Sequence, residues 1–100
     1  MIIRTWTGRV PARHAAAFAD HLRATGAAEC ARVPGCLGSD TVRAEIDDGW
    51  VEFRFVSRWR SWEAVRLFAG PVINKAVLYP GDEAYELDAS LTVEHEEIQA

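Results

Sequence analysis

Residues 50–59, WVEFRFVSRW, alternate strictly: Val51, Phe53, Phe55, Ser57 and Trp59 fall on one side, and Glu52, Arg54, Val56 and Arg58 on the other. That period of two predicts a strand with one face toward a core. Residues 2–10, IIRTWTGRV, are rich in β-branched and aromatic types and stop at Pro11, which predicts a first strand. From Pro11 the spacing changes. On a wheel of 3.6 residues per turn, Ala15, Phe18, Leu22, Thr25 and Val33 gather on one side, while Arg13, Asp20 and Arg23 lie away from it. The alanine-rich run PARHAAAFADHLRATGAAECARV therefore reads as a helix with proline at its start and one buried stripe. Gly26 weakens that helix by about 1 kcal/mol against alanine and marks a kink. Val33-Pro34-Gly35 ends it.

A strand from about Leu37 to Ile46 comes next, joined to the strand at 50–59 by a reverse turn at Asp47-Asp48-Gly49, residues that tolerate the backbone of a tight hairpin. Ser61 is placed to cap a second helix carrying Val65, Phe68 and Ala69, which stops at Gly70-Pro71. After a short helical or irregular piece, VINKAVLYPGDEAYEL, the segment LTVEHEEI predicts a final strand. The order βαββαβ is the ferredoxin-like α+β arrangement, a four-stranded antiparallel sheet with both helices on one face. Its other face carries Trp, Val, Arg and Thr side chains, which a second copy of the chain covers more easily than water does. A homodimer is expected.

Length fits one domain over residues 1–100, because halves of this chain would be too small to bury a stable core. The formal charge of −4 and the scatter of eleven Lys and Arg residues argue against a nucleic-acid partner. The opening MIIRTWTGRVP has neither a signal-peptide pattern nor an apolar stretch long enough for a membrane span. A cytoplasmic protein is therefore expected, and Cys30 and Cys36, which lack redox or zinc spacing, read as free thiols that serve as small apolar filler near a helix end and the turn after it.

Trp59 ends its strand on the core side, and Phe68 approaches it from the second helix. With Phe53, Phe55 and Tyr79 they form either a filled core or an aromatic-walled pocket between sheet and helices. His95, in the last strand, is the best general base in the chain. Arg4 and Trp6 share a parity on the first strand, which neighbours the last in this topology, so either is placed beside His95. A pairing of His95 with Arg4 or with Glu94, Glu96 and Glu97 is the structural alternative, and for Arg4 a surface or dimer-face ion pair is the expectation. His14 and His21 lie about 10 Å apart along the first helix, too far to share a metal ion, and read as solvated flank residues. No phosphate loop, dinucleotide-binding glycine pattern, serine elbow or zinc spacing occurs.

The run I-x-R-x-W-x-G, the alanine-rich helix ending in V-P-G, VEF…SRWRSWEAVRLFAG, KAVLYP and VEHEEI together resemble the antibiotic biosynthesis monooxygenase-like family of dimeric α+β barrels, from Ile2 to Ile98. The resemblance implies a homodimer with a hydrophobic pocket in each subunit, in a family whose members oxidise aromatic polyketides without metal or flavin or cut haem. Members that oxygenate anthrones keep a tryptophan matching Trp59. They carry an asparagine where this chain has Phe55 and a tyrosine where it has Val65. Haem-cleaving members have a tryptophan at the position of Phe68 and an iron-binding histidine near Leu78, and this chain has neither. The expected site therefore has His95 and Trp59 as catalytic residues and Trp6, Arg4, Phe55, Phe68 and Tyr79 around a hydrophobic aromatic substrate, with no metal and no cofactor. The alternative is a non-catalytic dimeric ligand-binding or scaffold protein of the same fold.

Overall fold

The computed structural model describes residues 1–99. Strand β1, Ile2–Pro11, pairs antiparallel along its whole length with β3, Trp50–Trp59, from Ile2 opposite Trp59 to Pro11 opposite Trp50. Strand β2, Cys36–Asp47, forms the hairpin with β3 through a turn at Asp48 and Gly49. On the other side of β1 lie two short strands, β4, Asp88–Ala89, and β5, Glu94–Glu97. The sheet order is β2-β3-β1-β4, with β5 also beside β1, and both helices pack on one face. The ferredoxin-like α+β arrangement is the one expected.

The expected last strand, residues 91–98, is shortened to Glu94–Glu97, and a separate two-residue strand lies between it and the piece expected to be helical or irregular. Thr5 pairs with Glu94 and Gly8 with Ala89, so three steps along β1 match five along its partner. The two surplus residues leave the sheet. The segment around them pairs instead with residues 74–76, where the Ala76 amide donates to Leu91 O and the Val93 amide to Asn74 O, both at 2.9 Å.

The first helix runs through residues 12–32 and changes its winding three times. A 3-10 turn, Ala12–His14, leads into α-helix Ala15–Leu22, a π-helical turn Arg23–Ala27, and α-helix Ala28–Arg32. The π turn inserts one residue, so the buried stripe passes through Ala15, Phe18, Leu22, Gly26 and Cys30. Thr25 and Val33, expected on that stripe, sit at its border. The kink expected at Gly26 is this wider turn.

The second helix, Trp62–Ala69, begins as its sequence requires: the Ala64 amide donates to Ser61 Oγ at 3.2 Å. Ile2, Val10, Val51, Phe53, Trp59, Phe18 and Val65 fill the core between sheet and helices. The opposite sheet face is open. There Thr5, Thr7, Arg54, Thr92 and Glu96 line a broad shallow depression.

Candidate active site

The core-facing side of β1 reads Ile2, Arg4, Trp6, Gly8, Val10, and the sheet pleat places a charged side chain among apolar neighbours at Arg4. Arg4 is only 3% exposed. Its Nη1 donates to Ile73 O at 2.6 Å and to His95 Nε2 at 3.1 Å, and its Nη2 donates to Lys75 O at 3.1 Å. One side of the guanidinium is closed by the Phe68 ring, 5.7 Å from its centroid. None of these partners is an anion. Burial lowers the Arg4 pKa from its ordinary value, and the nearby groups whose ionised forms would oppose that are Cys30 and Tyr79. Burial pushes the Cys30 thiol up to about 12 and raises the Tyr79 phenol as well, so at neutral pH both are uncharged.

Beside Arg4 is a cavity of about 40 Å³ between the sheet, the first helix and residues 77–82. Trp6, Phe18, Phe55 and Phe68 supply aromatic walls, with Leu22, Val77 and Val93 between them. The bends of the backbone make this space. A Cβ on Gly8 would lie 2.5 Å from the Trp6 ring, so only glycine lets that indole lie back along its own strand, where Nε1 donates to Ser90 O at 3.0 Å. Gly26, in the π turn, faces the rings of Phe55 and Tyr79 with no side chain in between. The Tyr79 hydroxyl is buried and has no hydrogen-bond partner among the described residues.

The remaining expected residues are placed differently from these. Arg4, Trp6, Phe55, Phe68 and Tyr79 line the cavity. Trp59 does not: it lies under Phe68, stacked at 5.5 Å between centroids, and its indole N–H is already given to Ser57 Oγ at 2.8 Å. His95 is the register partner of Arg4 and stands behind it, outside the cavity, in an open groove with Trp62, whose ring meets the imidazole edge at 5.3 Å. Because a guanidinium only donates, the Arg4 contact requires an unprotonated Nε2. Burial, then the Arg4 charge, lower the His95 pKa from 6.5, in agreement with a neutral ring.

The sequence reading missed one pair at this cavity. His21, expected as a solvated flank residue, is largely buried and its Nε2 lies 2.6 Å from Asp82 Oδ1. Asp82 lines the cavity and also accepts from the Tyr79 amide at 2.8 Å. His14 makes the corresponding contact with Glu86 at 2.8 Å, and Arg13 joins it there. The Tyr85 ring packs between Phe18 and His21. Partners more than sixty residues away carry no helical signature, so only the fold reveals them. Among the described residues no group of three or more His, Cys, Asp or Glu side chains is placed to hold a metal ion, and no helix is long and apolar enough to cross a membrane.

Comparison with known proteins agrees with this architecture. The chain is similar to an inferred antibiotic biosynthesis monooxygenase from Deinococcus radiodurans, at 19% identity and a TM-score of 0.69, covering 100% of this chain and 94% of that one. It is also similar to a MhuD mutant with two manganese protoporphyrin IX bound per active site, at 21% identity and a TM-score of 0.64 over 98% of this chain and 94% of that one. A third likeness is to HapK from Hahella chejuensis, at 17% identity and a TM-score of 0.62 over 99% and 93%. At these identities the structures testify to the fold. No curated protein sequence matches the chain. The sequence profile described as antibiotic biosynthesis monooxygenase matches residues 1–70, which hold β1, the first helix, the hairpin and the second helix, and so the chain belongs to the antibiotic biosynthesis monooxygenase family.

Proposed function

We propose that this protein is a cofactor-independent monooxygenase acting on a hydrophobic aromatic small molecule in the cavity between sheet and helices, as a cytoplasmic homodimer of one-domain chains. The observation that carries the reading is the buried, anion-free Arg4 on the wall of an aromatic cavity. Oxygenation without a metal or flavin needs the substrate as its own electron donor, hence ionised, in a water-poor site with a cation to hold the charge. The Arg4 Nη1 and His95 Nε2 lie 3.1 Å apart. The substrate's hydroxyl oxygen takes the free N–H edge of Arg4 on the cavity side, and its proton passes to the imidazole, which this environment keeps neutral, as the Arg4–His95 contact opens. The ionised ring passes one electron to dioxygen. Radical and superoxide combine into a peroxide on a ring carbon, which takes up a proton and loses water to leave a carbonyl where that ring C–H stood. Phe68 shields Arg4 from solvent, and Trp59 acts by positioning Phe68.

The size of the cavity favours a second reading. An apolar cavity of about 150 Å³ holds one benzene, against about 40 Å³ here, so a ring enters only as residues 77–82 give way. A protein that never makes that movement is a scaffold, and one that binds without turnover is a carrier. Oxygen consumption on adding an anthrone or quinol, with chelator present and no flavin added, tests the proposal. Uptake that disappears in His95→Ala and product carrying one atom of labelled dioxygen support it; saturable binding with no uptake leaves the carrier.

A further inference from the structure

We infer that the cavity takes a compact aromatic monoanion, a single ring bearing one carboxylate or ionised hydroxyl, with the charged group on the N–H edge of Arg4 and a second oxygen accepting from Tyr79. This rests on the reading of the cavity as the ligand site and narrows the ligand class. A guanidinium carries five N–H groups. Two carbonyls and an imidazole engage three of them in Arg4, so one on Nη2 and the one on Nε are without partners among the described residues. A buried cation facing only neutral dipoles lacks the anion that ordinarily accompanies it. The Tyr79 hydroxyl adds an unmatched donor on the same cavity.

The surroundings define the rest of the ligand. Phe68 covers one side of the guanidinium, so an oxyanion approaches along its edge, the geometry in which Arg makes paired bonds to a carboxylate. Asp82, the carboxylate on the cavity wall, is held by His21 and the Tyr79 amide and repels a second negative charge. One positive charge and one negative wall select a monoanion. Trp6, Phe18 and Phe55 offer ring faces, and the small volume limits how far the wall must yield.

The experiment compares benzoate with benzyl alcohol, a neutral molecule of nearly the same shape, by titration calorimetry and amide chemical shifts at pH 7.5. Benzoate is expected to bind at least tenfold more tightly, and the advantage to fall below twofold in Arg4→Met. Since Arg4 also ties residues 73 and 75 to the sheet, that variant risks unfolding, and Tyr79→Phe carries the test independently. It removes a hydroxyl that the fold does not use, so the melting temperature is expected to hold or rise while benzoate affinity falls at least threefold. Equal binding of benzoate and benzyl alcohol, or an affinity unchanged in Tyr79→Phe, overturns the anion assignment and leaves the apolar pocket standing. If neither molecule binds, the assignment and the reading of the cavity as a ligand site fall together.

Discussion

Gly26→Ala sets the stability of this protein against its function at one atom. The glycine lies on the buried stripe of the first helix, in the π turn, and its φ is not in the left-handed region. A methyl group placed there meets Phe55 Cε2 at 3.7 Å and Tyr79 Cε2 at 3.9 Å, which is ordinary van der Waals contact and requires no shift. Two contributions then add. Replacing glycine by alanine inside a helix gains about 1 kcal/mol, and burying the added methyl gains up to about 0.8 kcal/mol, discounted because the wall is partly open. The expected gain is about 1.5 kcal/mol. For a domain of this size, that raises the melting temperature by roughly 6–12 °C. The same methyl occupies the cavity roof, so ligand affinity is expected to fall at least tenfold in the variant. Calorimetric melting and a benzoate titration on the same preparations read both effects. A less stable Gly26→Ala protein would mean that the wider turn itself demands glycine, and a more stable one with undiminished binding would mean that the ligand does not lie beneath the turn.

Two further outcomes follow from buried polar contacts. Ser57→Ala removes the acceptor of the buried Trp59 indole and leaves that N–H unpaired, which costs about 1–3 kcal/mol in urea unfolding; a loss under about 0.3 kcal/mol would show that Trp59 finds another acceptor. His95 is neutral in the fold with a pKa below 6.5, so as pH falls through about 6.5 the unfolded chain binds a proton before the folded one does. The stability from this group is intact above that pH and is lost as pH drops toward the folded value. Compared with His95→Gln, which keeps an acceptor for Arg4 and does not titrate, the wild type is expected to lose more stability between pH 6.5 and 5; parallel profiles would contradict the neutral ring.

Much of this architecture is legible in residue order because it rests on local periods. The alternation from Val51 to Trp59 fixes both the strand and its inward face. Arg4, expected in a surface or dimer-face ion pair, is instead buried without an anionic partner, on the parity of Ile2 and Trp6. A charged residue at core parity is itself the signal for a buried ion. Ser61 and the Gly70-Pro71 pair delimit the second helix within a residue. What escapes is what depends on a change of period or on distant partners. The π turn at Arg23–Ala27 slips the helical stripe by one position, so an ideal wheel points to Thr25 where the fold buries Gly26, and passes over Cys30 altogether. His21 meets Asp82 across 61 positions of chain. Trp59, inward by parity, is kept from the cavity by Phe68, because the helix starting at Trp62 brings that ring down onto the indole.

Residues 73–76, packed beside the last strand, explain how an uncompensated arginine can be held in the core. In an extended segment, successive carbonyls point in opposite directions. Residues 73–76 run beside the excursion of the last strand, with Asn74 O accepting from Val93 and the Ala76 amide donating to Leu91 O. The carbonyls of Ile73 and Lys75 are thereby turned the other way, and both accept from Arg4. Ile98 and Met1 exchange backbone hydrogen bonds, so in this register the even-numbered residues of the last strand face β1, and Leu91 and Val93 turn their backbone groups away from it toward residues 74–76. Without residues 73–76 there, Arg4 would keep only His95 as a polar partner, at a desolvation cost of several kcal/mol. The carbonyls of Ile73 and Lys75 thus supply neutral acceptors sufficient to keep the guanidinium inside, but no anion to neutralise it. The positive charge at the cavity wall is consequently a product of the segment packed against the last strand as much as of the residue at position 4.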